Sequence, residues 1–394
     1  MKTDVVIIGG GLAGSLAAAM LGRSGVDVVL VDPNTVYPPE FRCEKLDGPQ
    51  VKTLQLTGLA DAVLRVATPD QECWIARFGR LVEKRPGDQL GIMYDTLVNT
   101  VRAQIPDRVA FIQSKAVGIE TGRELQTVSL LDGRKINARL IVLSNGLNPA
   151  LQQALGFGRT IISSRHSLSI GFDIDPPAGM GLPFPALTYY AERPNDRMAL
   201  LTLFPIGATM RANLFAYRDA RDPWLEQLRT QPEAALHALW PNLRKITGEF
   251  TVRTPIKVRP VDLYRTTNYR LDGIVLVGDA FATSCPAAGT GARKAMIDVE
   301  RLCNHHIMNW LASPGMQGGK IAQFYGDPVK AESDAFSESK AFALRAFSVD
   351  LAPQWAARRW TKFAMHWSKG LSRRLPSQRT DRATAAGAYR HAPS

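Results

Sequence analysis

A glycine-rich turn near the start of this chain limits its fold more than any other feature of the sequence. Residues 9–14 read GGGLAG; they follow the apolar run VVII at 5–8 and precede an alanine-rich stretch at 15–21. This order predicts a buried strand, a tight turn and a helix. In such a unit the first glycine permits the turn, the second lets a pyrophosphate approach the backbone, and the third lets helix and strand pack closely. We therefore predict a Rossmann-like α/β site with phosphate at the helix N-terminus, and with contacts from Gly9, Gly11, Leu12, Ala13 and Gly14.

An acid follows the next predicted strand at a spacing that suits such a site. The apolar run VVLV at 28–31 ends at Asp32, 18 residues after Gly14. A carboxylate at this place can accept hydrogen bonds from an adenosine ribose. Asp32 is therefore the candidate residue for holding the adenosine half of a dinucleotide.

A second glycine-rich turn, about 270 residues later, repeats this logic. The run GIVLVGD at 273–279 predicts a buried strand that ends in an acid, and GTGA at 289–292 begins a helix. Ligands of open α/β sheets bind at the carboxyl ends of parallel strands, which is where Asp279 falls. A nicotinamide cofactor does not need this late element. FAD does, because it has a ribityl chain and an isoalloxazine ring to hold, and so we predict FAD.

With these two turns the chain resembles the class A FAD-dependent monooxygenases of the aromatic hydroxylase-like family, over residues 1 to about 302. The segments LLDGR at 130–134 and ARLIVLSNG at 138–146 fit the order of that family. The resemblance implies that Asp279 bonds the ribityl hydroxyls and that Arg42, after the second strand, contacts the cofactor. It also implies that the Pro-x-x-Gly-x-Gly segment lies against the flavin ring. The cofactor-binding set is completed by Val117, Pro286, Gly289, Thr290, Gly291 and Ala292.

The resemblance also implies a reaction. In this family reduced flavin and molecular oxygen give a C4a-hydroperoxide, while the protein excludes water and orients the substrate. We therefore expect an NAD(P)H-dependent monooxygenase that hydroxylates a small hydrophobic or aromatic molecule, with NADH and NADPH both open. This chemistry needs no side-chain nucleophile, and the sequence identifies no catalytic acid or base and no metal site.

Two departures from the family pattern keep other functions open. The family's middle Asp-Gly motif is Asn145-Gly146 here, without the arginine expected in 147–151, and Ala282 replaces a histidine that often follows the late acid. An FAD-dependent reductase of isoprenoid-type double bonds shares the scaffold. A non-catalytic flavin-binding protein would also tolerate the changed motif. Halogenases carry Trp-x-Trp-x-Ile-Pro, and the seven tryptophans form no such pair, which disfavours halogenation.

Changes in apolar periodicity predict three regions. Residues 1–160 and 261–320 form a discontinuous FAD-binding domain, residues 161–260 form a β-rich substrate domain, and residues 321–394 form a C-terminal helical region with a basic tail. The strands of the middle region provide candidate substrate contacts, for which we select Tyr190, Phe204 and Arg211.

The net charge of +12 is concentrated at the C-terminal end. Residues 353–394 hold nine Lys or Arg and one Asp, a balance of +8, so the rest of the chain is only mildly basic and we expect no nucleic-acid partner. No apolar run approaches a membrane span, and the four scattered cysteines predict neither a disulfide framework nor a metal site. Together with the absence of a signal peptide, this predicts a cytoplasmic protein.

Aromatic and basic residues alternate in the C-terminal region. A helix is predicted from Pro353, which suits its first turn, to Gly370, which suits its end. One interpretation is that its aromatic stripe packs onto the FAD-binding domain. The other is peripheral membrane contact through 353–376, with anionic lipid or a lipophilic substrate under the stripe. Beyond Pro376 the polar composition predicts disorder. The stripe consists of Trp355, Trp360, Phe363 and Trp367.

Overall fold

The structure is a computed structural model and describes residues 1–374, so the expectation for the residues beyond Pro376 lies outside the described part of the chain. Within residues 1–374 there are eighteen β-strands and thirteen α-helices. The strands are β1 (Lys2–Ile8), β2 (Val28–Asp32), β3 (Lys45–Asp47), β4 (Thr68–Pro69), β5 (Glu72–Arg77), β6 (Arg80–Pro86), β7 (Gln89–Gly91), β8 (Ala110–Gln113), β9 (Ala116–Glu120), β10 (Gln126–Leu130), β11 (Lys135–Leu143), β12 (Gly158–Asp175), β13 (Ala186–Tyr190), β14 (Met198–Ile206), β15 (Thr209–Ala216), β16 (Thr251–Val252), β17 (Lys257–Thr267) and β18 (Ile274–Leu276). The helices are α1 (Leu12–Arg23), α2 (Gly48–Leu56), α3 (Ala60–Leu64), α4 (Tyr94–Arg102), α5 (Ala150–Ala154), α6 (Pro223–Thr230), α7 (Pro232–Leu239), α8 (Leu243–Thr247), α9 (Gly291–Arg301), α10 (Met308–Leu311), α11 (Gly318–Tyr325), α12 (Pro328–Val349) and α13 (Pro353–Arg374).

The first layer is a seven-stranded sheet that carries both glycine-rich turns. Its order is β8-β2-β1-β11-β10-β9, and β18 also pairs with β11. The strands β8, β2, β1, β11 and β18 run parallel, whereas β10 and β9 join as an antiparallel extension. Residues 5–8 and 28–31 are at most 4% exposed, because a parallel sheet is covered on both faces. This sheet and α1 form the predicted Rossmann-like unit.

The second layer is an eight-stranded sheet of order β16-β12-β15-β14-β13-β5-β6, with β17 also paired to β12. One of its faces packs on α6, α7 and α8 through a core that includes Phe172, Leu201 and Trp240. The opposite face meets the loop after β2, where Arg211 binds Glu44. We name this opposite face the inner face, because it lies toward the first layer.

The second sheet takes two strands from a distant part of the chain. The hairpin β5–β6 comes from residues 72–86, inside the region 1–160 that we assigned to the FAD-binding domain, yet β5 pairs in parallel with β13. The sheet also extends past residues 161–260 at both ends, because β12 begins at Gly158 and β17 ends at Thr267. The hairpin therefore belongs to the β-rich layer, although the sequence analysis placed its residues in the FAD-binding region; the domain bounds themselves stay a prediction.

The C-terminal helix α13 packs on the outermost strand β6, and so on the second sheet. A Cβ added to Gly370 would lie 2.1 Å from the backbone oxygen of Val82, so this glycine marks close helix–strand contact. The predicted role of Gly370 as the helix end is therefore wrong, since the helix continues to Arg374. Glu83 fixes the contact through bonds to His366 and Arg373. In residues 1–374 no helix combines the length and the apolar character that membrane crossing requires.

Candidate active site

The three glycines of the first turn have different physical roles. Gly9 has a φ of +98°, and a Cβ there would lie 2.6 Å from the backbone oxygen of Ser144. A Cβ on Gly14 would lie 1.9 Å from the backbone oxygen of Gly9. The packing of the chain itself therefore requires both glycines. At Gly11 a Cβ would lie 3.8 Å from Tyr37 and from Tyr94, which is an ordinary contact distance, so packing does not forbid a side chain there.

Asp32 lies at the end of β2, directly against this turn. Its carboxylate accepts hydrogen bonds from the backbone N–H groups of Gly10 at 2.7 Å and Asn34 at 2.9 Å. It also pairs with Arg102 at 3.2 Å, and Arg102 donates to the backbone oxygen of Gly10. The side chain thus holds the turn in shape; its bond to a ribose stays a prediction.

Arg42 reaches the second turn from the loop after β2. Its guanidinium lies 2.8 Å from the carboxylate of Asp279 and 2.5 Å from that of Glu40. Glu40 also accepts a hydrogen bond from the hydroxyl of Tyr37 at 2.5 Å. These groups place a charged, hydrogen-bonding surface between the two glycine-rich turns.

Burial sets the protonation states around Arg42. Desolvation opposes the charge of Arg42, but the carboxylates of Asp279 and Glu40 outweigh it and keep its pKa above the ordinary value. Burial raises the pKa of Tyr94 to about 12 and also raises the pKa of Tyr37. Both tyrosines are therefore neutral hydrogen-bond donors at physiological pH. The hydroxyl of Tyr94 accepts from the backbone N–H of Leu12, at 3.4 Å, at the N-terminus of α1.

The second turn meets the first. A Cβ on Gly278 would lie 3.6 Å from the Cβ of Ala13, so the strand end at β18 touches the start of α1. Gly289 has a φ of +67°, and a Cβ there would meet nothing within 4 Å. Its backbone oxygen accepts from the side chain of Gln50 at 2.9 Å, which ties α2 to the N-terminus of α9. Thr290, the residue before α9, bonds Ser337 of α12 at 2.7 Å.

A buried charge cluster formed by α9 and α12 supports the second turn. Lys330 lies 3.0 Å from Asp298 and 3.0 Å from Asp334, and Lys294 lies 3.2 Å from Asp334. Asp298 accepts a hydrogen bond from the backbone N–H of Gly278 at 2.8 Å. The two positive and two negative charges balance, so the cluster can fix Gly278 and Asp279 without leaving a net buried charge.

The Asn145-Gly146 motif, which differs from the family's Asp-Gly, is part of the same site. Gly146 has a φ of +61°, and a Cβ there would lie 3.8 Å from the guanidinium of Arg42. Asn145 lies beside Gly9, and its buried Oδ1 has no hydrogen-bond partner among the described residues. A buried acceptor without a donor is costly unless a ligand supplies one. Asparagine in place of the family's aspartate therefore keeps both the turn and an acceptor.

These observations fit FAD. The open space at Gly289 has no packing explanation within residues 1–374, a side chain at Gly11 would meet no close contact there, and helix N-termini, at α1 and α9, lie at the two turns. The unpartnered Oδ1 of Asn145 and the carboxylate of Asp279 offer acceptors for the hydroxyls of a ribityl chain. Pro286 lies in the short turn at 286–288, and Gly291 and Ala292 lie in the first turn of α9.

Val117 occupies a different environment from the other candidate cofactor residues. It lies on β9, at the outer edge of the first sheet, with 49% of its surface exposed. Neither glycine-rich turn contributes to that edge.

The three candidate substrate residues share the inner face of the second sheet but not one pocket. Phe204 pairs directly with Arg211 across β14 and β15, while Tyr190 pairs with Leu200. Arg211 is fully engaged, at 2.7 and 2.9 Å with Glu44 and 2.9 Å with Asp173. Phe204 is 1% exposed, under the ammonium of Lys45. The guanidinium of Arg77 covers the ring of Tyr190, at 3.6 Å from its centroid.

A small apolar cluster on the inner face contacts Ala287, which belongs to the turn expected against the flavin. We name it the Ala287 cluster: Leu200 and Tyr217 pack there with Phe215, Val349 and Ala287. The hydroxyl of Tyr217 is buried and lacks a partner among the described residues. Cys285, next to Pro286, is fully buried, and burial raises the pKa of its thiol, so it remains protonated.

Several site residues were not found by sequence reasoning. Tyr37, Glu40, Gln50, Tyr94 and Arg102 come from loops and helices with no motif spacing, and only their tertiary placement brings them to the turns. Leu200 lies on β14 and Tyr217 directly follows β15, both in segments that the alternation identified, but the pattern does not tell which face meets Ala287. A signal was available for Gln50 alone, because Asp47-x-x-Gln50 is a capping-box spacing.

Comparisons with known proteins agree with this geometry. A family model described as "FAD binding domain" matches residues 2–309. The 3-demethoxyubiquinol 3-hydroxylase of Escherichia coli is 24% identical over 326 residues, which are 76% of this chain and 78% of that enzyme. A menaquinone reductase of Mycobacterium tuberculosis is 28% identical over 44% of this chain and 46% of its own length. In structure, p-nitrophenol 4-monooxygenase PnpA from Pseudomonas putida DLL-E4 superimposes with a TM-score of 0.74, at 17% identity and with 94% of each chain covered.

Proposed function

Since this chain belongs to the FAD binding domain family, we propose that it is a monooxygenase that uses NADH or NADPH and molecular oxygen to hydroxylate an aromatic or quinone-type small molecule. The family predicted from the two turns is thereby confirmed, and FAD is the cofactor. The observation that carries the proposal is the meeting of the two turns, with Arg42 and Asp279 in contact between them.

The proposed reaction divides molecular oxygen between substrate and water. A substrate C–H bond, O2, NAD(P)H and a proton give a C–OH bond, water and NAD(P)⁺. When bound, the flavin supplies the transfer of two electrons from NAD(P)H to oxygen and of one oxygen atom to the substrate.

The chain's own residues would bind and orient the reactants. Residues 9–14 and Asp32 would hold the adenosine half of FAD, Arg42 and Asp279 its central part, and residues 286–292 its ring. The Ala287 cluster supplies an apolar surface on the substrate side, which excludes water and suits an aromatic ring. The unpartnered hydroxyl of Tyr217 can donate a hydrogen bond to a polar group on that ring.

The observations favour hydroxylation over the reductase alternative. The hydroxylase from Escherichia coli matches 76% of this chain, whereas the menaquinone reductase matches 44%. A flavin-binding protein without turnover is also less favoured, because Asn145-Gly146 keeps its left-handed turn and its acceptor at the site.

The test is substrate-dependent oxygen incorporation by the FAD-loaded protein. NADH or NADPH is supplied with a panel of phenols, hydroquinones and isoprenoid quinols, while oxygen uptake and flavin reduction are followed. The expected result is faster flavin reduction with one compound class, and a product that carries one atom from ¹⁸O2. Oxygen-independent reduction of a substrate double bond would overturn the proposal, and so would the absence of NAD(P)H oxidation.

Peripheral membrane contact through 353–376 is a further part of the proposal. Trp360 and Trp367 are 61% and 41% exposed on α13, and basic residues such as Lys362 and Lys369 lie beside them. Exposed Trp with Lys and Arg suits the surface of an anionic membrane. The proposed location is the cytoplasm, with which the free state of all four cysteines is consistent.

A further inference from the structure

Arg77, at the end of β5, is a buried cation without an acid. It is 7% exposed, and no carboxylate of the described residues lies within ion-pair distance of it. Its Nε has no hydrogen-bond partner in residues 1–374. The guanidinium stacks on the ring of Tyr190 at 3.6 Å, and because stacking uses the face of the guanidinium it gives the in-plane Nε–H no acceptor.

This guanidinium lines a small cavity, which we name the Arg77 pocket. The cavity has a volume of about 20 Å³ and opens to solvent. It lies where the β5–β6 hairpin, the segment after β13, the end of α12 and the helix α13 meet. The side chains that border it include Arg77, Phe78, Tyr190, Arg193, Phe347 and Arg359.

The charges around the Arg77 pocket are not balanced. Glu192 is the one acid that lines it, and its carboxylate is engaged elsewhere, by the hydroxyl of Tyr189 at 2.6 Å and the side chain of Asn242 at 3.0 Å. Arg359 donates to the backbone oxygens of Phe347 and Asp350, and among the described residues it makes no ion pair. The pocket is therefore cationic, and an anion is the ligand that its chemistry lacks.

We propose that the Arg77 pocket binds the carboxylate group of a small aromatic acid. The volume decides the size of the head group, because about 20 Å³ holds one or two water-sized groups. A planar carboxylate fits this space and matches the guanidinium with two parallel hydrogen bonds. The rings of Phe78, Tyr190 and Phe347 border the opening and provide apolar surface for the rest of the acid.

The Arg77 pocket also adjoins the candidate active site. Tyr190 is covered by Arg77 and packs in turn against the Ala287 cluster. One aromatic side chain thus separates the two places. The binding proposal goes beyond the proposed function and does not rest on it, because binding is measured without turnover.

The test compares benzoate with its neutral analogue benzamide on the FAD-loaded full chain. Isothermal titration is expected to show saturable binding of one benzoate per chain and a rise in Tm, at constant ionic strength, with no such response to benzamide. Arg77→Met is expected to weaken benzoate binding at least tenfold, because the charge-assisted hydrogen bonds between guanidinium and carboxylate are lost. Without benzoate this variant is expected to be at least as stable as the wild type, because an unpaired buried charge is removed.

Two further variants keep the outcome decisive. Arg80→Met changes an exposed arginine of the same hairpin and is expected to leave benzoate binding unchanged. Arg77→Lys keeps the charge but loses the planar fork, so intermediate affinity is expected. Equal binding of benzoate and benzamide, no binding to the wild type, or unchanged binding in Arg77→Met would each overturn the proposal. None of these results depends on whether the protein hydroxylates anything.

Discussion

The guanidinium of Arg42 lies 2.8 Å from the carboxylate of Asp279, although 237 positions separate them in the chain. This contact joins the loop after β2 to the end of β18 and places both charges between the two glycine-rich turns. Asp279 is also held through its backbone oxygen, which accepts from the hydroxyl of Tyr264 at 2.8 Å. The carboxylate is therefore positioned before any cofactor arrives.

Asp279→Asn is expected to weaken FAD binding. The substitution removes an anionic acceptor for the ribityl hydroxyls and leaves Arg42 with Glu40 alone. We expect a loss of about 1 to 3 kcal/mol, or about 5- to 150-fold in Kd. The measurement is titration of the FAD-free protein with FAD by flavin fluorescence. Asp132→Asn, in an exposed turn, is the matched control, and an unchanged Kd in Asp279→Asn would show that the ribityl assignment is wrong.

Gly11→Val is expected to block FAD binding while leaving the fold intact. The residue has a φ of −71°, and the nearest atom to an added Cβ is 3.8 Å away, so the chain tolerates a side chain that a pyrophosphate would not. FAD affinity should fall by at least about tenfold, because the valine side chain would displace the pyrophosphate from the backbone. The Tm of the FAD-free protein should change little.

Gly14→Ala provides the contrast to Gly11→Val. Its Cβ would lie 1.9 Å from the backbone oxygen of Gly9, so this variant should lose stability even without FAD. The two Tm values of the FAD-free variants separate the roles. Equal destabilisation by both substitutions would remove the distinction between a ligand-facing and a packing glycine.

Lys330→Met is expected to destabilise the fold strongly. It removes the fully buried ammonium that lies between Asp298 and Asp334, leaving carboxylates without their main partner. Breaking a buried pair from one side costs about 3 to 5 kcal/mol. Urea unfolding of the FAD-free protein measures the loss. The double variant Lys330→Met with Asp334→Leu should recover part of it, since Lys294 can still pair with Asp298 at 3.8 Å.

His166 is expected to make the fold less stable in mild acid. Burial, aided by the charge of Arg345, lowers the pKa of His166 from 6.5 to about 4. Below pH 6.5 the unfolded chain therefore takes up a proton that the folded chain takes up only near pH 4. Stability should fall over this window, by about 3 kcal/mol at most for a shift of this size.

His166→Gln tests this dependence. Unfolding free energies measured from pH 7 to pH 4 should fall less steeply in this variant than in the wild type. His305→Gln is the control, because that side chain is 45% exposed. Parallel pH profiles of wild type and His166→Gln would contradict the prediction.

The aromatic residues of α13 are expected to separate into packing and surface roles. Phe363 packs against Phe78, with ring centroids 5.6 Å apart, and borders the cluster around Val82. Phe363→Ala should lower the Tm, because it opens a gap between α13 and β6. Trp360 and Trp367 also contact Phe78 and Phe363, at 4.7 and 5.7 Å between ring centroids, but they are 61% and 41% exposed. Their replacement by Ser should therefore lower the Tm less than Phe363→Ala does.

Co-sedimentation with liposomes tests the membrane proposal with the same variants. Wild-type protein should bind vesicles that contain anionic lipid, and binding should weaken with salt and in the double Trp variant. Salt-independent behaviour, or equal binding of wild type and double variant, would leave α13 with a packing role only.

The sequence by itself determined the elements whose causes are local. A run of apolar residues, a glycine at each position that needs a positive φ or a close contact, and a following helix specify the strand–turn–helix unit within about 20 residues. Gly9 and Gly14 meet this condition in the structure, and Asp279 lies in the turn that directly follows β18. The Rossmann-like layer and its FAD cofactor were predictable for this reason, and the strands of the second layer from their alternation. The individual cofactor-binding residues stay predictions.

The tertiary structure decided which distant groups meet. The sequence placed residues 72–86 in the FAD-binding region, and nothing in their pattern states that β5 pairs with β13, more than 100 residues later in the chain. The sequence shows that Arg211 is a cation on a strand; only the fold shows that Glu44 and Asp173 neutralise it. The same fold leaves Arg77 buried beside Tyr190 without an acid among the described residues. Periodicity reports which face of an element is buried, whereas charge pairing depends on contacts across the chain, and those form only when the layers pack.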